Sequence, residues 1–249
     1  MTISLPVSHS EGLQDAGFRH GFFACGPAPG LHAQARGGIS HGQVASSRGR
    51  MIRHLAVVPE DLHCARQVHG DQILEIVKTG QRRHWERTEG DALITCQKGL
   101  AVGVVTADCA PLLVADPSTG WVAAAHLGRL GALAGLAAAL VNRLLERGAC
   151  LDTLRFAVGP HIQAESYEVG EAMFSTLPSA AQHRDRSGRA CCSLRGLIAA
   201  DLEAVGVQPE QIGWSAIDTL GDAEYFSHRR QGDAAGRQLS AIVAGAPRG

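Results

Sequence analysis

The stretch that decides the fold is Thr-Ala-Asp-Cys-Ala-Pro at 106–111, Leu-Leu-Val-Ala-Asp at 112–116, Pro-Ser-Thr-Gly at 117–120 and Trp-Val-Ala-Ala-Ala-His at 121–126. Two short apolar runs, 112–115 and 121–125, flank the Pro-Ser-Thr-Gly break. Apolar runs separated by turn residues are typical of antiparallel strands. The stretch therefore predicts a β-hairpin.

This hairpin would bring Cys109 close to His126. Residues opposite each other in a hairpin have position numbers with a constant sum, and a turn centred on Ser118 sets that sum near 236. Opposite residues have Cβ atoms about 5 Å apart on one face, so a thiolate and an imidazole could share one zinc-like ion. Taken singly, Cys109 is more typical of a buried core cysteine, and His126 of a hydrogen-bonded histidine at a strand end. Together, with Asp108 beside the cysteine and Gly128 shortly after the histidine, they favour a site.

Composition limits the classes of function. The 249 residues include 23 basic and 24 acidic side chains, with a net charge of −1, which gives no basic footprint for nucleic acid or a membrane surface. We see no signal-peptide pattern and no membrane span, and we expect a cytoplasmic protein with small-molecule partners. Seven cysteines without framework spacing favour thiols or metal ligands over disulfides.

The order of predicted elements indicates the fold class. Strands are predicted at 17–25, on both sides of a turn at Gly70-Asp71, and at 89–94, 100–106, 154–158, 212–217 and 239–244, with helices at 132–147, 167–177 and 194–205. Strands outnumber helices and come in sequential groups, which predicts an α+β fold. We expect one domain over residues 1–249, a sandwich of mixed and antiparallel sheets with flanking helices.

Residues 26–49 are rich in Gly, Pro, His and Ser and are predicted to form a long irregular loop. Long loops in compact domains are usually functional or disordered. Arg36 followed by two glycines could cradle an anion through its guanidinium and backbone N–H groups. A merely flexible loop is the alternative.

An ordered set of short motifs resembles the YfiH-type family. The motifs are Gln67-Val-His-Gly70, Gly90-Asp-Ala92, Thr106-Ala-Asp-Cys-Ala-Pro111, His126-Leu-Gly128, Gly159-Pro160, Tyr167-Glu-Val169 and a segment from Phe226-Ser-His-Arg-Arg230 to Gly236-Arg237. Members are also named multicopper polyphenol oxidases or laccase-domain proteins. The family is understood as zinc-dependent purine nucleoside phosphorylases, with adenosine deaminase and methylthioadenosine phosphorylase side activities.

The resemblance implies a metal site formed by His69, Cys109 and His126. Three protein ligands leave a fourth position open, as in catalytic zinc sites; a fourth ligand from Cys64 or Asp108 would instead favour a non-catalytic site. Zinc is preferred to copper, because laccase-type clusters use His-x-His pairs and none of the twelve histidines is spaced two apart.

The resemblance further implies purine nucleoside and phosphate as substrates. Asp108, Cys109 and His126 are then the catalytic candidates, with Asp108 either a base or the group that orients His126. Arginine forks match phosphate oxygens, and the phosphate-binding candidates are Arg36, Arg229, Arg230 and Arg237, with Arg129 ranked below them. His161 and His228 are candidate general acids.

The chain departs from the family around its second histidine. It has His126-Leu-Gly-Arg-Leu-Gly131 where the family has His-Ala-Gly-Trp-Arg-Gly, so Arg129 replaces a tryptophan. The residues of the metal triad are retained, whereas the surroundings of the substrate have changed. The alternatives are a divergent metal-binding or ligand-binding protein without catalysis and, ranked lower, a copper-dependent phenol oxidase.

Overall fold

The computed structural model of the chain describes residues 5–26, 31–34, 40–79 and 86–245. The described strands are Val7–Ser8 (β1), His20–Phe23 (β2), Leu62–His63 (β3), Ile73–Glu75 (β4), Ala92–Thr95 (β5), Ala101–Thr106 (β6), Ala110–Ala115 (β7), Val122–Leu127 (β8), Arg155–Val158 (β9), Gln182–Arg184 (β10), Ala190–Cys192 (β11), Ile212–Trp214 (β12) and Gln238–Val243 (β13). The described helices are Glu11–Asp15 (α1), His41–Leu55 (α2), Arg129–Leu133 (α3), Leu136–Glu146 (α4), Glu171–Phe174 (α5), Leu194–Ala204 (α6) and His228–Gln231 (α7).

The strands form two large sheets and one small ribbon. One sheet has the order β1-β2-β13-β6-β3, the other has the order β12-β9-β7-β8-β5-β4, and β10 pairs with β11. Most pairs are antiparallel, while β3 with β6, β4 with β5 and β9 with β12 run parallel. The predicted α+β class with mixed and antiparallel sheets is confirmed.

Both faces of each large sheet are buried, which produces four layers. In β7, Leu112 and Val114 pack against helices α4 and α6, whereas Leu113 packs between the two sheets. The outer face of the five-stranded sheet is covered by α2, whose Met51 and Leu55 are fully buried. Strands buried on both faces need near-continuous apolar sequence, and this is why the decisive stretch is apolar throughout.

The predicted hairpin is confirmed as β7 and β8, but the register differs from the prediction by one residue. Leu112 pairs with Ala125 and Pro111 with His126, so Cys109 lies before β7 and has no partner in this ladder. The turn is closed by the Asp116 N–H, which donates to the Trp121 carbonyl over 2.8 Å. Its centre therefore falls between Ser118 and Thr119, not on Ser118.

The irregular loop predicted for 26–49 is partly wrong, because α2 begins at His41. Ser40 and Gln43 form a reciprocal capping box, in which the Gln43 N–H donates to Ser40 Oγ and the Ser40 N–H to Gln43 Oε1. A Ser-x-x-Gln spacing is a helix-start signal, and the surrounding glycines and arginines obscured it. Arg36 lies outside the described residues.

Three other predicted segments differ from the structure. The helix predicted for 132–147 is divided into α3 and α4 at Gly135, which has a φ of +76°. The helix predicted for 167–177 is reduced to the four residues of α5. The segment before Gly70 forms only an isolated bridge between Arg66 and Glu89. Gly135 is a local cause of the first difference, since glycine adopts a positive φ readily.

Within the described ranges, no helix combines the length and apolar composition that spanning a bilayer requires. The structure describes all seven cysteines, and no disulfide joins any of them.

The β7–β8 turn is organised by the buried carboxylate of Asp116. It accepts hydrogen bonds from the hydroxyls of Ser118, Thr119 and Thr153 and from the backbone N–H groups of Ser118 and Cys150. Burial acts to raise the pKa of Asp116, but these hydrogen bonds outweigh it and hold the pKa below its usual value. The ionised carboxylate therefore stabilises the folded state.

Replacing Asp116 with Ala should lower the free energy of unfolding by about 2–4 kcal/mol at pH 7, because several buried donors lose their acceptor. The pKa is lower in the folded state, so this stabilisation is complete above the unfolded pKa of about 3.9 and is lost as the pH falls below it. Urea unfolding at pH 7 and at about pH 3 should show the difference shrinking. Asp152→Ala, at an exposed aspartate, should change stability by less than about 0.5 kcal/mol; an equal loss in both variants would refute the assignment.

Candidate metal centre

Three potential metal ligands meet at one end of the six-stranded sheet. His69 lies in the turn before β4, Cys109 directly precedes β7, and His126 lies in β8. Their donor atoms are within 4.8 Å of one another, with Cys109 Sγ 4.0 Å from His69 Nε2. The two imidazole rings are 4.7 Å apart between centroids and nearly perpendicular. His69 is exposed, Cys109 is half-buried and His126 is buried.

The buried carboxylate of Asp91 positions both histidines. The Nδ1 of His126 donates to Asp91 Oδ1 over 2.7 Å, which leaves Nε2 for a metal. The same carboxylate accepts the backbone N–H groups of Val68, His69 and Gly70 at 3.1, 3.0 and 2.8 Å. Metal-bound histidines usually donate their other ring nitrogen to such an acceptor. Asp91 is fully buried and stands directly before β5.

Orientation of His126 by Asp108, one of its two predicted roles, is wrong. The Asp108 carboxylate accepts from Thr219 Oγ1 and from the Arg229 backbone N–H, each over 2.7 Å. Its carbonyl accepts from the Ile162 N–H. The sequence did contain a signal for the correct residue, because Asp91 lies in one of the family motifs, but nothing local connects it to a histidine 35 positions later.

Two residues of the site have backbone conformations that residues other than glycine rarely adopt. His69 has a φ of +62° and Asp108 a φ of +84°. Such residues cluster at functional sites, where surrounding contacts hold them in place. At His69 the contacts are the N–H bonds to Asp91, and at Asp108 they are the bonds to Thr219 and Arg229.

Two glycines after His126 allow the elements to approach. A Cβ at Gly128 would lie 3.0 Å from Cys109 Sγ and 3.1 Å from His69 Cδ2, and one at Gly131 would lie 3.0 Å from the Gly70 carbonyl. All three distances are tighter than most side-chain contacts, so a larger residue would press on Cys109 and His69 at position 128 and on the Gly70 carbonyl at position 131. The His-x-Gly-x-x-Gly spacing therefore belongs to the geometry of the site.

The charges of the site favour a thiolate. Burial acts to raise the pKa of Cys109, but hydrogen bonds and charge interactions with His126 and His69 lower it to about 6. Burial acts to lower the pKa of His126, but Asp91 and Cys109 raise it to about 9. The pKa of Asp91 is lowered by His126 and by backbone donors, against the effect of burial. A thiolate is the form of cysteine that binds metals.

The three ligands open onto a cleft of about 870 Å³. Two of the predicted phosphate-binding arginines, Arg229 and Arg237, line it. Sequence reasoning missed Arg48 and Arg66, which also line the cleft. Arg48 was missed because it lies on α2, which was predicted to be loop.

Arg230, a predicted phosphate-binding residue, does not line the cleft. Its guanidinium donates instead to the carbonyls of Thr219, Leu220, Asp222 and Tyr225. This position argues against phosphate binding.

Of the two candidate general acids, His228 lines the cleft, whereas His161 does not. His161 is buried, and burial lowers its pKa. Cys64 lines the cleft, but neither Cys64 nor Asp108 joins the donor cluster. Among the described residues, that cluster consists of His69, Cys109 and His126 alone. The described part of the chain therefore supplies three donors at this centre.

The chain is similar in sequence to proteins named purine nucleoside phosphorylase and adenosine deaminase. A protein from Deinococcus radiodurans named purine nucleoside phosphorylase is 34% identical over 233 residues, covering 92% of this chain and 87% of that protein. A protein from an unknown prokaryotic organism named adenosine deaminase RL5 is 30% identical over 213 residues, covering 80% of this chain and 81% of that protein.

Solved structures share the fold. The crystal structure of YlmD from Geobacillus stearothermophilus is 26% identical, has a TM-score of 0.83 and covers 95% of this chain and 94% of its own. The YfiH protein of Bacillus licheniformis, 23% identical, has a TM-score of 0.85 with 98% of each chain covered. Residues 19–245 match the family model described as multi-copper polyphenol oxidoreductase laccase. The chain therefore belongs to this laccase-like family, the YfiH-type family that its motifs resemble.

Proposed function

We propose that the protein is a zinc-dependent purine nucleoside phosphorylase that acts on adenosine, inosine or methylthioadenosine. The observation that carries the proposal is the convergence of His69, Cys109 and His126 on a cleft lined by arginines. Relatives named purine nucleoside phosphorylase support the reaction class. Adenosine deamination at the same site is the second candidate, because one relative is named adenosine deaminase.

The donor set fits zinc. One thiolate and two imidazoles are ordinary zinc ligands, and tetrahedral zinc with its usual bond lengths separates their donor atoms by roughly 3.3–3.6 Å. The present separations are at most 4.8 Å, so small side-chain movements would close the site. A bound zinc would supply Lewis acidity beside the reacting sugar or base. Three ligands favour a catalytic site over the non-catalytic alternative, and copper remains the alternative metal.

Two arginines of the cleft, Arg229 and Arg237, would bind the attacking phosphate. The Arg229 guanidinium carbon lies 5.3 Å from the centroid of the Tyr167 ring, and its backbone N–H is held by Asp108. We therefore assign Asp108 a positioning role for Arg229, with Arg237 as a second phosphate ligand. Fixed guanidinium groups would bind the phosphate and orient its attacking oxygen toward C1′.

Proton delivery to the leaving base is assigned to His228. Its Nδ1 lies 2.9 Å from the Gly232 carbonyl, a contact that makes Nδ1 the donor and leaves Nε2 to carry the exchanging proton. An imidazole is suited to proton transfer near neutral pH.

Cys109→Ala should abolish both metal binding and phosphorolysis. Loss of a supporting residue alone usually costs about 10–100-fold in metal affinity, so loss of the thiolate itself should cost more than about 100-fold. The measurement is zinc and copper content per chain, together with phosphate-dependent release of free base from adenosine, inosine and methylthioadenosine.

Cys150→Ala is the matched control, since Cys150 is exposed and lies outside the cleft. It should retain metal and activity. Undiminished base release by metal-free Cys109→Ala would contradict the proposed function. Copper in place of zinc, with oxidation of phenols and no base release, would support the phenol oxidase alternative.

Asp91→Asn should weaken zinc binding by about 10–100-fold, because the amide would disturb the orientation of both histidines. Asp108→Asn should leave zinc affinity within about threefold, since its carboxylate contacts no member of the triad. Competition titration with a chromogenic zinc chelator measures both. Equal losses in the two variants would show that Asp91 has no special role; circular dichroism checks that each variant is folded.

A further inference from the structure

The cleft carries more positive charge than the chain as a whole. The chain has a net charge of −1, yet five arginines and two carboxylates line the cleft. They are Arg48, Arg66, Arg129, Arg229 and Arg237, with Glu86 and Asp108. Such a surplus favours ligands of more than one negative charge.

Two of these arginines are occupied by acidic partners. Arg48 Nη1 lies 2.7 Å from Glu86 Oε1, and Arg66 pairs with Glu89. By contrast, among the described residues no carboxylate lies within salt-bridge distance of Arg129 or Arg229. The Arg237 guanidinium donates to the carbonyls at 235 and 236. Among the described residues, the guanidinium groups of Arg129 and Arg229 therefore form no ion pair, and Asp108 contacts Arg229 only through the backbone N–H.

Tyr167 lies near both of these arginines. The Arg229 guanidinium lies over its ring, and the positive charge of Arg129 acts to lower the pKa of Tyr167, against the larger effect of burial. Tyr167 is itself partly buried, packs against the core and lines the cleft beside Cys109. The ring contact leaves the charge of the Arg229 guanidinium in place, and Arg129 lines the same cleft.

We propose that the physiological substrate is an anionic nucleoside of the nucleoside 5′-monophosphate class, and that Arg129 is the residue that selects it. This inference rests on the proposed phosphorylase function. Phosphorolysis of an uncharged nucleoside places one phosphate in the cleft, and Arg229 with Arg237 is sufficient for that group. A phosphate monoester adds up to two negative charges, which a further guanidinium matches with charge-assisted hydrogen bonds.

The reaction then balances as follows. An oxygen of inorganic phosphate forms a bond to C1′ while the C1′–N9 bond breaks. The base leaves with that electron pair and takes up a proton, giving free purine and ribose 1,5-bisphosphate. No oxidant or reductant is required.

The test compares kcat/KM for AMP and adenosine, at saturating phosphate, in wild type, Arg129→Gln and Arg66→Gln. Wild type should prefer AMP. Arg129→Gln should lower kcat/KM for AMP by about tenfold or more, the usual cost of a lost hydrogen bond to a charged group, and change adenosine by less than about threefold. Arg66→Gln, which removes an arginine already paired in the same cleft, should leave the AMP-to-adenosine ratio unchanged.

Preference of the wild type for adenosine, or equal losses with both substrates in Arg129→Gln, would overturn the proposal. Calorimetric titration of AMP and adenosine in the absence of phosphate tests the anion selectivity independently of the phosphorylase activity. If neither substrate releases base, the phosphorylase assignment fails. Tighter binding of AMP than adenosine that disappears in Arg129→Gln would still support the anion selectivity, and equal binding of the two ligands would refute it.

Discussion

The site depends on one buried carboxylate, that of Asp91. Burying a charged group costs free energy unless hydrogen bonds replace its water, and here three backbone N–H groups and the His126 ring provide them. The same bonds fix the turn that carries His69 and set the ring orientation of His126. Because the Asp91 carboxylate needs these hydrogen bonds, the position of Asp91 at the start of β5 also sets the positions of His69 and His126.

The rest of the centre is organised around this contact. Strands β7 and β8 bring Cys109 and His126 to the same end of the six-stranded sheet, and Gly128 keeps the space between Cys109 and His69 clear. The ligands therefore come from separate elements, each anchored in the buried layers. Side chains supported in this way are preorganised for binding, whereas the arginine-lined cleft is built partly from loops and from α2.

Charge divides the site into two regions. At the metal centre, the thiolate of Cys109 and the carboxylate of Asp91 lie beside the imidazoles. Arginines predominate among the other charged residues that line the cleft, and the Arg229 guanidinium lies over the Tyr167 ring. This juxtaposition of a candidate metal site and fixed cations suits the proposed reaction between an anionic nucleophile and a bound organic substrate.

The sequence alone determined the β7–β8 hairpin, the α+β class, and the grouping of Cys109 with His126, because turn residues and apolar runs act over short distances. With the family motifs, it also indicated His69. Only the tertiary structure decided the β7–β8 register and the role of Asp91. It also placed the Arg230 guanidinium on loop carbonyls, outside the cleft. Helix α2 was missed although its capping box is local. Hydrogen-bond partners 35 residues apart depend on the order of strands in the sheet, and local spacing does not encode that order.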